Sequence, residues 1–334
     1  MSAQSEEKQK RRNRGLGGQS SLEAERSTCI AVLMPCFNEE TTIAKVTEDF
    51  RTALPAATIY VYDNNSADRT AEYALAAGAV VHHHRVQGKG NVVRRMFADI
   101  EADVYVLVDG DDTYDTSSAA ELVALLIDEQ LDLVNTARVP IEKNVYRPGH
   151  RFGNKAFTTL VRMIFGFEFD DLLSGYKILS RRFVKTFPST STGFEIETEL
   201  AVHCLELDMP CAERPVRYKE RPEGSVSKLR TLQDGSRILL FILRLLKDER
   251  PLQFLGFVGL LIGSIGIFLG TPVVANYLQT GLVPRFPTAI LAVGLVILAS
   301  LSVLTGIVLD VISKTRREMK RLFYVSIPAY KRRQ

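Results

Sequence analysis

Hydrophobic and polar positions divide the chain near residue 250. Before that point short apolar runs alternate with stretches of helical period. After it come two long runs without a charged side chain, Phe254 to Ala275 and Thr288 to Leu309. In the first part the runs Cys29–Pro35, Thr58–Tyr62, Ala79–His83 and Val104–Val108 read as buried strands. Helical stretches lie between them: one from about Thr42, one over Ser66–Ala77 capped by Gly78, and one over Asn91–Ile100. Strands alternating with helices at this spacing predict an α/β domain, a mostly parallel sheet covered by helices on both faces.

Each long apolar run is about 22 residues, enough to cross a hydrocarbon core of roughly 30 Å as a helix. So short a connection between them predicts a hairpin. Arg244, Lys247 and Arg250 precede the first run, Lys314, Arg316, Arg317, Lys320 and Arg321 follow the second, and the connection carries only Arg285. This asymmetry sets both ends on the cytosolic side of an integral membrane protein. Gly259/Gly263 and Gly266/Gly270 are small-x-x-x-small pairs, suited to packing between the two helices or between subunits of a homo-oligomer. Leu229–Lys247 has an amphipathic pattern that suits a helix on the membrane surface, and Pro251 ends it. The expected organisation is a disordered basic tail (1–28), a catalytic domain (29–228), an amphipathic juxtamembrane helix (229–251), two transmembrane helices (252–312) and a basic cytosolic tail (313–334).

Composition removes some alternatives. The formal net charge of +3 gives no reason to invoke nucleic acid. Cys29, Cys36, Cys204 and Cys211 form no C-x-x-C and no zinc spacing, and they read as free thiols in a reducing compartment. The N-terminus lacks the apolar core of a signal peptide; its basic residues suit either solvent or anionic lipid headgroups.

Ligands of parallel sheets bind at the carboxyl ends of the strands. The polar residues fall there: Asn38 and Glu39 after the first strand, Asp63 and Asn64 after the second, Asp109 and Asp111 after the fourth. Carboxylates concentrated at strand ends repel one another unless a cation neutralises them. Hard oxygen ligands suit Mg²⁺ or Mn²⁺ shared with substrate phosphates. The plainer reading of Asp109-Gly110-Asp111-Asp112 is an acidic turn that caps the next helix at Asp115 or Thr116. His82-His83-His84 reads as a strand end with one outward imidazole rather than a metal tract. Of Glu195 and Glu197, at the start of a helix, Glu197 is the one expected to face the site.

Taken jointly, Pro35-Cys36-Phe37-Asn38-Glu39-Glu40, Asp63-Asn64-Asn65-Ser66 and Asp109-Gly110-Asp111 resemble inverting family 2 glycosyltransferases of the GT-A fold. Gly88-Lys89-Gly90, Asp171 to Lys177, Phe194 to Glu197 and Ser227-Lys228-Leu229 narrow the resemblance to polyprenyl-phosphate (dolichyl-phosphate) hexose synthases, and the two apolar helices to their bacterial two-span branch. The resemblance implies a nucleotide-sugar donor, UDP-linked in first place, and a polyprenyl phosphate acceptor in the membrane lipid. It implies that Pro35, Phe37 and Glu39 line the nucleoside pocket, that Asp63 beside Asn64 takes the hydrogen bond from the base, and that Gly88 and Lys89 lie over the nucleotide. Asp109 and Asp111, around Gly110, would hold the metal, Asp111 most directly. Arg138, after the next strand, would reach the donor phosphates. Arg221 and Lys228 would close over them, although Arg221 to Lys228 is one residue longer than the family's R-x-x-G-x-S-K.

Asp171 is the implied base or positioning carboxylate, the alternative being a cap before a strand over Tyr176–Leu179. A phosphate acceptor is already anionic, so the work lies in alignment and in neutralising the leaving diphosphate. Arg147, His150, Arg151 and Lys155 form a basic loop that faces either the acceptor phosphate or anionic lipid. A processive polysaccharide synthase would need more spans and a tryptophan motif, and the chain has no tryptophan. A sugar nucleotidyltransferase would need a glycine-rich loop where Pro35 to Glu40 stands. A GDP-mannose-dependent mannose synthase and a non-catalytic nucleotide-binding scaffold are the remaining alternatives.

Overall fold

The computed structural model describes residues 28–140, 169–222, 240, 244, 247, 248 and 250–329. The N-terminal tail, the basic loop with Arg147, Arg151 and Lys155, Lys228, and most of the amphipathic stretch lie outside the described residues. The apolar runs become strands β1 (Ile30–Cys36), β2 (Thr58–Asp63), β3 (Val80–His83) and β4 (Val104–Leu107), followed by β5 (Leu133–Pro140), β6 (Lys177–Ser180) and β7 (Cys211–Tyr218). They form one sheet in the order β3-β2-β1-β4-β6-β5-β7. The first four strands run parallel; β6 is antiparallel to both β4 and β5, and β7 is parallel to β5. Pro215 is tolerated in β7 because that strand is the sheet edge.

Alternate residues of β1 serve opposite faces. Ala31 and Leu33 join a core with α3 (Lys89–Asp99), α5 (Arg181–Thr186) and α6 (Ile196–Glu206). Val32 and Met34 join a second core with α1 (Ile43–Ala53), α2 (Thr70–Ala76) and α4 (Ala119–Asp128). Burial on both faces is why β1 and β4 read as continuous apolar runs rather than alternating ones.

Three local expectations are corrected. The helix expected from Ser66 begins at Thr70, because residues 66–69 are held by the loop after β1 instead. Asn38 N donates to Ser66 Oγ (2.9 Å), Ala67 N to Asn38 Oδ1 (2.8 Å) and Arg69 N to Glu40 Oε2 (3.1 Å). His82 and His83 are both exposed, since β3 is the other sheet edge: His82 stacks on Tyr62 at 4.8 Å and His83 Nδ1 lies 3.2 Å from Asp63. Arg138 stands within β5, not after it, because pairing with β7 carries that strand to Pro140.

Two helices, α7 (Pro251–Thr280) and α8 (Phe286–Ser326), are long and apolar enough to cross a membrane. They pack as a hairpin through small residues. A Cβ on Gly259 would lie 3.0 Å from the Ala299 carbonyl, and one on Gly266 would lie 3.1 Å from that of Ala292. The glycine pairs are thus spent on contact between the two helices of one chain. Helix α8 does not stop at the apolar run. Its last turns, read from sequence as a tail, continue to Ser326 and dock on the α/β domain. Lys320 Nζ meets Glu206 at 2.6 Å, Tyr324 Oη donates to Asp132 at 2.6 Å, and Arg182 lies over the Tyr324 ring.

Candidate active site

The carboxyl ends of β1, β2 and β4 open on one cavity of about 260 Å³. Pro35, Phe37 and Glu39 line it from the end of β1, Asn64 from β2, and Asp109, Gly110 and Asp111 from β4. Gly88 and Lys89, at the start of α3, and Arg221, three residues past β7, close it. Cys36, Gln87, Val92 and Phe194 also line it. None of these four was singled out for the pocket from sequence. Val92 follows Lys89 by one helical turn, so helical spacing alone could have suggested it.

The loop over the cavity is fixed by Asn64. Its side-chain nitrogen donates to the carbonyls of His84 (3.0 Å) and Val86 (2.8 Å), and its oxygen accepts from Gly88 N (2.8 Å). Gly88 sits at φ 125°, where a side chain is strained, and a Cβ there would lie 2.2 Å from the Thr192 carbonyl. This turn aims Lys89 inward. Its ammonium lies 2.5 Å from Asp109 and 2.6 Å from Glu197, all three side chains largely withdrawn from solvent. Burial alone would lower the Lys89 pKa, but Asp109 and Glu197 outweigh it and hold the group above its ordinary value. Glu197 therefore faces the site, while Glu195 turns back to accept from Gly193 N.

Asp111 is buried, accepts from Thr113 Oγ1 at 2.6 Å and pairs with Arg221 at 2.6 Å. Burial, with the charge of Asp109 added, raises its pKa despite Arg221. A carboxylate raised in this way gains from a further cation. Among the described residues no group of three or more Asp, Glu, His or Cys converges as a metal cage. Asp109 and Asp111, two of the three carboxylates on the cavity, suit a hard divalent ion that takes its remaining ligands from phosphates and water. Asp115 does cap a turn, accepting from Ser117 N at 3.0 Å, so the helix-capping reading belongs to that residue and leaves Asp109 and Asp111 to the cavity.

Three expected residues are not among those lining the cavity. Asp63 is turned to its own loop, accepting from Ser66 N (3.3 Å). Arg138 and Asp171 form a buried bidentate pair, Nε–Oδ2 at 2.6 Å and Nη2–Oδ1 at 2.8 Å, with the Arg138 guanidinium 5.5 Å from the Tyr218 ring centroid. Burial would raise the Asp171 pKa; the hydrogen bonds and charge of Arg138 prevail and hold it below the ordinary carboxylate range. Sequence reasoning missed this pairing because the two residues lie on different elements.

Comparison with known proteins agrees with this geometry. The sequence profile described as glycosyl transferase family 2 matches residues 31–187. Glycosyltransferase AglJ of Haloferax volcanii is 31% identical over 295 residues, 88% of this chain and 97% of that protein. The dolichyl-phosphate hexose transferase of the same organism is 28% identical over 222 residues, 66% of this chain and 95% of its own length. The fold matches glucosyl-3-phosphoglycerate synthase from Mycobacterium tuberculosis, solved with Mn²⁺, UDP and glucosyl-3-phosphoglycerate. That likeness has a TM-score of 0.51 and 24% identity and covers 65% of this chain and 79% of that one. With a profile match over strands β1 to β6 and a relative aligned along nearly its whole length, the chain belongs to glycosyltransferase family 2.

Proposed function

We propose that the chain is an inverting, metal-dependent hexosyltransferase. It moves a sugar from a nucleotide sugar, UDP-linked in first place, to polyprenyl phosphate at the cytosolic face of the membrane. One observation carries this reading: a cavity walled by Asp109, Asp111, Lys89 and Arg221 in the same chain as two apolar helices. The cavity suits a diphosphate with its cation, and the helices suit an acceptor dissolved in lipid. The relative named dolichyl-phosphate hexose transferase and the solved synthase with UDP and Mn²⁺ support it.

A phosphate monoester is anionic at neutral pH and attacks an anomeric carbon without a strong base. Asp171, ionised and bound by Arg138, is a poor proton acceptor but a good fixed charge. It serves to hold Arg138 and orient the acceptor. A divalent cation on Asp109 and Asp111 would supply charge neutralisation to the departing diphosphate. Lys89 and Arg221 contribute from the chain itself: each is bound to one of those carboxylates and is within reach of oxygens placed between them. Lys228 is assigned to the donor phosphates, and Arg147, Arg151 and Lys155 to the acceptor phosphate. Single displacement inverts the anomeric carbon. Both ends of the hairpin face the cytosol in this reading, supported by the basic flanks and by the docking of α8 on the catalytic domain beyond Lys314.

The test is purified enzyme with Mg²⁺ or Mn²⁺, polyprenyl phosphate and a panel of radiolabelled nucleotide sugars. Chloroform-soluble label from a UDP-sugar is expected, and Asp111→Ala should abolish both turnover and metal-dependent donor binding. Label from GDP-mannose would move the donor assignment to that nucleotide. Transfer to a soluble acceptor with no lipid product would overturn the acceptor assignment.

A further inference from the structure

Away from the cavity, three polar side chains form a row across three adjacent strands. Asn135 on β5 is in register with Lys177 on β6 and with Glu213 on β7. Lys177 and Asn135 are fully buried, and Glu213 is half-buried. The Lys177 ammonium donates to Asn135 Oδ1. The Asn135 amide nitrogen donates to Glu213 Oε1 at 2.6 Å and to the Asp171 carbonyl at 3.0 Å. The Glu213 carboxylate then accepts two backbone N–H groups, Asp170 N at 2.7 Å and Asp171 N at 3.3 Å. The row thus ends on the backbone of the residue whose side chain grips Arg138.

Such a row is costly. A lysine with no exposed surface loses its hydration, and burial draws Lys177 down to about 8 against the pull of Glu197, Asp171 and Glu213. An apolar residue on β6 would fill the same space without that cost. The charged row does what an apolar one cannot: it satisfies both N–H groups of residues 170–171 and the carbonyl of Asp171, which fixes the backbone on either side of the Asp171 side chain.

We propose that Lys177, Asn135 and Glu213 are positioning residues for the transfer reaction, a cross-strand ladder that holds the backbone of Asp170–Asp171 so that the Asp171 carboxylate keeps its grip on Arg138. This rests on the role given to Asp171 and Arg138 above.

Glu213→Gln tests it with little change of volume, since an amide supplies one acceptor oxygen where the ladder uses two. The expected result is a fall in kcat of about 10- to 100-fold, with KM for the donor and the thermal midpoint near those of the parent. In an Asp171→Asn background the same substitution should lose less than about threefold more, because the ladder acts through Asp171. An unchanged kcat, or an equal loss in both backgrounds, overturns the proposal. Hydrogen exchange at residues 169–172 judges the ladder without any substrate. Faster exchange of the Asp170 and Asp171 amides in Glu213→Gln supports it, and unchanged exchange overturns it. Should wild-type enzyme make no lipid-linked sugar, the acceptor reading falls and the exchange measurement still decides the ladder.

Discussion

Gly175→Ala tests the placement of Asp109 more sharply than removing the carboxylate does. Gly175 lies two residues before β6, whose first residue, Lys177, is paired with Leu107 at the end of β4. A Cβ at this position would lie 2.1 Å from Asp109 Oδ2, 2.8 Å from its Cγ and 3.2 Å from Oδ1. Ordinary contact begins at 3.4 Å, so the carboxylate must retreat by on the order of 1 Å. Gly175 is not among the residues at positive φ, so the backbone accepts alanine and the effect comes from the displaced carboxylate. Retreat lengthens the 2.5 Å contact with Lys89 and moves one of the two carboxylates assigned to the cation. Overpacking of this kind costs about 1–3 kcal/mol, and a shift of about 1 Å at a reacting centre costs roughly 100-fold in rate. Release of chloroform-soluble product measures the rate, and titration of UDP with and without Mn²⁺ measures the metal-dependent part of donor binding. Both should fall together. Gly256→Ala, where a Cβ meets nothing within 4 Å, should leave both unchanged. Parental turnover with parental metal-dependent UDP binding in Gly175→Ala would refute the placement of Asp109.

Three further outcomes follow from the same contacts. Lys89→Met leaves Asp109 and Glu197 facing each other without their shared cation, a loss of about 3–5 kcal/mol for a broken buried pair; thermal unfolding in detergent should show it, and an unchanged midpoint would mean the pair is solvated. Burial, with the nearby charge of Lys320, lowers the His203 pKa to about 3. The unfolded chain takes up a proton below about pH 6.5 while the native state does not, so this group's stability is complete above that pH and is lost as pH falls toward 3, by about 2 kcal/mol at pH 5. His203→Gln should flatten the stability profile between pH 7 and 5, and a profile as steep as the parent's would place the titration elsewhere. Lys320→Met strands the buried Glu206 carboxylate and should speed hydrogen exchange over residues 314–326; protection equal to the parent's would assign the docking to Tyr324 and to the pair of Arg321 with Asp208.

The parts of this molecule legible from sequence are those set by local rules. Runs such as Val104–Val108 had to be strands, because only burial on both faces of a sheet uses so many consecutive apolar residues. Asp109, Asp111 and Asn64 had to gather, because parallel strands bring their carboxyl ends to one edge. What escaped depends on contacts between distant segments. Residues 66–69 have a helical composition, yet Asn38 and Glu40, nearly thirty residues away, claim their amides. Arg138 looks like a free cation in sequence and is paired in the fold, since the register of β5 points it at the loop before β6. Lys314 to Ser326 carries the charges of a solvated tail, and nothing local says that Lys320 and Tyr324 have partners at Glu206 and Asp132.

That docking changes what the hairpin does for the enzyme. Helix α8 has 41 residues, about 60 Å of continuous helix, and the apolar run uses only roughly 30 Å of it. Near the end of the span Ser313 Oγ donates to the Asp248 carbonyl at 2.6 Å, tying the approach to α7 to the exit of α8. Two and three turns further on, Lys320 and Tyr324 grip the α/β domain at Glu206 and Asp132. Glu206 ends α6, and Glu197, at its other end, holds Lys89 in the cavity. Helix α6 spans about 14 Å between these two ion pairs. In the proposed orientation the catalytic domain cannot swing about the span without breaking a buried ion pair at Glu206. A flexible tether would leave the height of the cavity above the lipid to chance. A rigid helix that carries the span into the domain fixes it, so the polyprenyl phosphate of the proposed function, confined to the bilayer surface, would meet the strand-end carboxylates at one set distance.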